Sequence, residues 1–149
     1  FKDKKLAEKF VNTAIKLQTL DYISNRTLLS MQFLADLMKE MSEKKLITKR
    51  DLYTLSEKDV INMIENCEDK NISECFNLWK NTTQIGESDT PISDKYCKSI
   101  KGKLRYIVPL VRCENEYIRI NKISDVARQD IENCLNYETK KYAYFDFNF

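Results

Sequence analysis

Two glycines and two prolines in a chain of 149 residues leave few places for tight turns. That scarcity argues against a sandwich or barrel of many short strands and for a body of helices. The apolar spacing agrees. From Lys2 to Leu20, Leu6, Phe10, Ala14 and Leu17 recur with a period near four, Val11 and Ile15 beside them, and predict an amphipathic helix. Ser24 or Asn25 is placed to cap a second helix carrying Leu28, Met31, Leu34, Leu37, Met38 and Met41. Lys44 and Lys45 near its end suit the negative pole of the helix dipole. The methionine-rich stripe reads as core filling rather than an adaptable groove.

Two capping boxes follow, Thr48 with Asp51 and Ser56 with Asp59, each opening a short helix. Asp stands in for the usual Glu or Gln, which predicts a weaker reciprocal bond but keeps a favourable charge at the positive helix end. After a polar loop over 65–71, Ile72, Cys75, Phe76 and Trp79 share one helix face, where Trp79, the only tryptophan, reads as core. Residues 85–94 (IGESDTPISD) hold turn formers and predict a linker. Beyond it, residues 104–111 alternate as a strand, with Pro109 marking an edge or bulge. Residues 113–116 can turn the chain into a second strand, Tyr117 to Ile120. Ser124 and Asp125 then start a helix bearing Ala127, Ile131, Cys134 and Leu135, and 142–149 (YAYFDFNF) reads as a third strand. The expected fold is α+β, mainly α. A helical body over 1–84, a linker over 85–94 and a small antiparallel lobe with one helix over 95–149 pack as one unit.

The chain contains no histidine. It therefore lacks the commonest general base and zinc ligand, which excludes Ser-His-Asp and Cys-His nucleophile systems and two-His metal sites within it. No catalytic and no metal-ligating residue is assigned, and no cofactor is expected in this chain. Phosphate-loop, dinucleotide and nucleophile-elbow motifs are absent, and Glu65, Glu68 and Asp69 lack the ligand pattern of an EF-hand. The five cysteines Cys67, Cys75, Cys97, Cys113 and Cys134 are widely spaced with no CxxC, which predicts free thiols in a reducing cytoplasm. Cys97 and Cys113 lie beside basic residues, a weak sign of reactivity. The net charge of +2 points to neither a nucleic-acid nor a membrane partner. No apolar run approaches the ~20 residues of a membrane span. The opening residues are charged and helix-periodic, as in mid-protein, so a piece of a longer chain is expected.

The densest charge feature is Lys95, Lys98, Lys101, Lys103 and Arg105. Lys98, Lys101, Lys103 and Arg105 are the candidate phosphate-binding or ligand-binding residues, with Gly102 permitting close backbone approach and Tyr96 and Tyr106 as stacking platforms. A solvated strand edge, where lysine blocks edge-to-edge pairing, is the plainer and favoured reading.

Two stretches resemble bacterial HD-domain phosphohydrolases, in the region after their catalytic core. The first is LDYISN (Leu20 to Asn25) with a helix and then LITKRDLYTLSEKDVINMI (Leu46 to Ile64). The second is KLRYIVPLV (Lys103 to Val111) followed by RINKISDVARQDIENCL (Arg119 to Leu135). In that family His and Asp residues bind divalent metal and hydrolyse phosphate esters. Without histidine, no metal site carries over. The resemblance implies a non-catalytic accessory domain, shaping oligomerisation or substrate access, whose partner is a metal-bearing catalytic domain upstream in the same polypeptide, with a homo-oligomer as a further assembly. A different reading is a stand-alone interaction module whose edge strand around Lys103 to Val111 pairs with a partner strand.

Overall fold

Seven helices and two small antiparallel sheets make this an α+β protein, mainly α. The structure, a computed structural model, describes residues 1–149. The helical first part comprises α1 (Lys4–Lys16), a π-helical turn (Leu17–Tyr22), α2 (Asn25–Glu43), α3 (Lys49–Thr54), α4 (Glu57–Glu65) and α5 (Lys70–Asn81). Then come β1 (Gly86–Ser88), β2 (Cys97–Ser99), β3 (Leu110–Cys113), β4 (Glu116–Arg119), α6 (Ile120–Ile123), α7 (Asp125–Leu135) and β5 (Tyr142–Tyr144).

Two compact units interleave along the chain. One comprises Phe1–Thr27 and Lys101–Thr139, the other Leu28–Ile100 and Lys140–Phe149. This division differs from the one expected at 85–94, and strand pairing is the reason. Gly86, Glu87 and Ser88 pair antiparallel with Tyr144, Ala143 and Tyr142, so part of the expected linker is a strand bonded to the far end of the chain.

The first unit is built on α1, α6, α7 and the β3–β4 hairpin. Its core holds Ala7 and Val11 of α1 with Val111, Ile120, Ala127 and Ile131. This corrects the predicted helix face, because the larger row Leu6, Phe10 and Leu17 stays exposed. Ser124 locks α1 to α7. Its buried hydroxyl donates to Glu8 Oε1 at 2.6 Å and accepts from the Ala127 N–H at 3.2 Å as the α7 cap. The strand expected from Leu104 begins only at Leu110. Pro109 has no N–H to offer a ladder, and its carbonyl accepts from the Ile120 N–H at 3.0 Å. Cys113 pairs with Glu116 across the expected turn. Phe1 covers the outer edge of β3: its carbonyl accepts from the Arg112 N–H at 2.8 Å, and its amino group donates to the Leu110 carbonyl at 2.8 Å.

The second unit centres on Phe33. Leu29, Phe33, Leu37 and Met41, one turn apart on α2, are fully or almost fully buried with Ile47, Ile64, Ile72 and Phe76. Fully burying one such side chain contributes on the order of 2–3 kcal/mol. Of the expected methionine stripe, Met41 is core, Met38 packs at its margin and Met31 is exposed. Both capping boxes close reciprocally. The Thr48 N–H donates to Asp51 Oδ2 at 2.8 Å and the Ser56 N–H to Asp59 Oδ2 at 3.1 Å, so aspartate reaches back in full despite its shorter arm. The sheet has the order β1-β5-β2. Past Tyr144 the regular strand ends, yet pairing goes on beside Tyr96, whose carbonyl accepts from the Phe145 N–H at 3.0 Å and whose N–H donates to the Phe147 carbonyl at 2.6 Å, and the alternation is kept. Ala143, Phe145, Phe147 and Phe149 turn inward, and the Phe33 ring meets Phe145, Phe147 and Phe149 with centroids 5.8, 5.6 and 5.3 Å away. Trp79 stacks on Phe76 at 5.5 Å, in the core margin as expected.

Candidate functional site

Once α1 has buried its row of small residues against α6 and α7, its large apolar side chains are left facing out. Leu6 is 57% exposed, Phe10 41%, Leu17 47% and Leu20, in the π-helical turn, 68%. At about 100° per residue along α1, Lys5, Lys9 and Lys16 lie to one side of the Leu6–Phe10 row, and Ala14 lies to the other. Ala14 and Gln18 form one wall of a groove of about 540 Å³ whose other wall is Leu104, Arg105, Tyr106 and Ile107. Gln18 Nε2 donates to the Lys103 carbonyl at 3.4 Å and tethers that wall. Tyr106 and Ile107 are themselves about half exposed, so the groove is open and largely apolar. Of the segment read as a strand, residues 104–107 line the groove and only Leu110 and Val111 join a ladder.

Charge separates the two units sharply. The first holds thirteen Lys and Arg against nine Asp and Glu, a net +4, and the second twelve against fourteen, a net −2. In the second unit six lysines enter ion pairs: Lys39 with Glu43, Lys44 with Glu40 and Asp69, Lys80 with Glu65, Lys95 with Asp146, Lys98 with Asp36, and Lys140 with Asp89. Lys5, Lys9, Lys16, Lys101, Lys103 and Arg105 enter none of the ion pairs.

The four candidate basic residues do not form one cluster. Lys101, Lys103 and Arg105 belong to the first unit and Lys98 to the second. Lys98 lies 2.7 Å from Asp36 Oδ2 and sits over the Tyr96 ring, 4.9 Å from its centroid. The Tyr96 hydroxyl donates to the same carboxylate at 2.7 Å, and Gln32 Nε2, one turn earlier on α2, donates to Asp36 Oδ1 at 2.9 Å. Partial burial pushes Asp36 upward. The hydrogen bonds from Lys98, Tyr96 and Gln32 and the Lys98 charge outweigh it and hold the carboxyl below its usual range. Burial, and then the bond to Asp36, drives the Tyr96 phenol far above its ordinary value. Tyr96 is buried, so it offers no stacking face, and the space that Gly102 leaves is filled by Ile23, whose Cβ would lie 2.5 Å from a Cβ at position 102. Sequence spacing grouped these residues because they are neighbours in the chain. It carried no sign of the α1 stripe as a surface.

All five cysteines are free; burial pushes the Cys75 and Cys134 thiols up, which makes them poor nucleophiles. No three metal-ligating side chains converge. No helix is long and apolar enough to cross a membrane. No protein-family model, curated protein or solved structure matches the chain.

Proposed function

We propose that this chain is a non-catalytic interaction module that docks a partner protein on the α1 face of its first unit. The observation that carries the reading is the exposed Leu6, Phe10, Leu17 and Leu20 stripe beside an open groove. Contiguous exposed apolar surface rimmed by polar groups is the usual mark of a protein–protein contact. The proposed mode differs from strand addition, since Phe1 already occupies the β3 edge over Leu110–Arg112. Service beside a catalytic domain of the same polypeptide is one form such docking takes. It rests on the two sequence segments alone, and no comparison links the chain to HD-domain phosphohydrolases. Five free thiols fit a reducing compartment, and we assign the chain to the cytoplasm.

The test places a photo-crosslinking residue at Leu17 or Leu20, and at Tyr53 or Leu78 as exposed controls in the second unit, in cells of the protein's source. The expected result is one discrete protein adduct from Leu17 and Leu20, absent from Tyr53 and Leu78 and lost when Phe10→Glu is added. No adduct, or the same adducts from all four positions, would overturn the reading. So would metal-dependent turnover of nucleotides or phosphate monoesters by the purified chain.

A further inference from the structure

The β3–β4 hairpin has one edge covered and one bare. Leu110 and Arg112 of β3 turn their backbone groups away from β4 and bond Phe1. In an antiparallel pair, residues directly opposite such positions also turn outward. Tyr117 and Arg119 of β4 stand opposite Arg112 and Leu110, so their backbone groups line the other edge. The Tyr117 N–H and carbonyl and the Arg119 N–H make no hydrogen bond within the chain. The Arg119 carbonyl opens α6, whose N-cap this residue is. Side chains leave the edge accessible: Tyr117 is 67% exposed, and Glu116 and Arg119 are exposed beside it.

We infer that this edge pairs with the same edge of a second copy of the chain, across a two-fold axis at Ile118, to give a continuous antiparallel sheet of four strands. With the axis there, each Arg119 N–H donates to the other copy's Tyr117 carbonyl, and each Tyr117 N–H faces the other copy's Arg119 carbonyl. The side chains select this partner. Tyr117 and Arg119 are two residues apart and share a face, so the axis sets each tyrosine directly opposite the other copy's arginine, a cation–π pair formed twice. On the other face the two partly buried Ile118 side chains meet at the axis, where antiparallel strands approach most closely. An unrelated strand would meet the backbone groups alone, whereas across the axis this sequence is its own complement. The contact is short, so the dimer is weak. It uses a different surface from the α1 face and does not depend on the docking proposed there.

Sedimentation of the whole chain between about 10 µM and about 1 mM should show the mean mass rising from monomer toward dimer. Arg119→Pro is the sharpest variant. Arg119 already has φ −64°, which proline adopts without strain, and its N–H has no partner within the chain, so the monomer keeps its fold while association falls about tenfold or more. Tyr117→Arg, which sets guanidinium against guanidinium across the axis, should weaken association to a similar degree. Tyr117→Glu should preserve it, because a carboxylate then faces Arg119. Each variant is first checked by thermal melting. Amide exchange of Tyr117 and Arg119 in the wild type should slow as concentration rises, a readout that needs no variant at all. A chain that stays monomeric at about 1 mM would overturn the inference. So would undiminished association of folded Arg119→Pro, equal losses in Tyr117→Glu and Tyr117→Arg, or exchange at the two amides that ignores concentration. Loss of association in Phe10→Glu would also overturn it, by moving the contact to α1.

Discussion

Asp36 joins three side chains of the second unit through one carboxylate: Gln32, Tyr96 and Lys98. Its folded form titrates below the ordinary carboxylate value near 3.9, so between those two values the native state binds fewer protons than the unfolded chain. The stabilisation it brings is complete above about pH 4 and fades as pH falls through the lower, folded value. Thermal melts from about pH 6 down to about pH 2 should show the wild type losing more stability than Asp36→Asn, with the two curves converging at the acid end. Parallel curves would remove the network from the stability of this unit. Asp36→Ala, which strands the buried Tyr96 hydroxyl, should cost on the order of 1–2 kcal/mol at neutral pH. None of this was visible in the sequence, because Lys98 and its carboxylate belong to different elements far apart in the chain, and a run of neighbouring lysines conceals which of them already has a partner.

Local signals speak most clearly for elements. The capping boxes of α3 and α4, the Ser24 cap of α2, whose Oγ accepts from the Thr27 N–H at 3.2 Å, and the turn at 113–116 were all legible in short runs of residues. The end of α2 was not. There the Leu46 N–H bonds the Met41 carbonyl at 2.8 Å and the Lys45 N–H bonds the Ser42 carbonyl at 3.1 Å, with Lys45 at φ 60°. That closure normally recruits glycine, and a lysine there signals only a charge suited to the helix end. Lys45→Gly relieves the left-handed strain, less the extra chain entropy of glycine, and should stabilise the protein by about 0.5–1 kcal/mol in urea titration. A loss of stability would show that the Lys45 side chain matters more than its backbone. The burial of α1 was the larger misreading. Two apolar rows run along that helix, and the chosen one depends on α7, which the chain supplies only after more than a hundred residues. Periodicity shows that a helix has a face; the element packed against it decides which face is buried and which stays exposed.

Over the whole molecule, helix content and the small antiparallel sheets followed from composition and periodicity, whereas the grouping of segments into units did not. Residues 1–27 complete their core with residues 101–139, and residues 28–100 complete theirs with 140–149. Fragments ending at Ile100 should therefore lack cooperative melting by circular dichroism, since Ala7 and Val11 would have no Val111, Ala127 or Ile131 to pack on. A sharp transition in such a fragment would contradict the interleaving. The same arrangement bears on synthesis. A ribosome delivers the chain in order, at roughly 5–20 residues per second, so α1 emerges some seconds before α7 and both of its apolar rows travel bare in the interval. Translation itself thus sets a window in which the row that will be buried and the row that stays exposed are equally open to water.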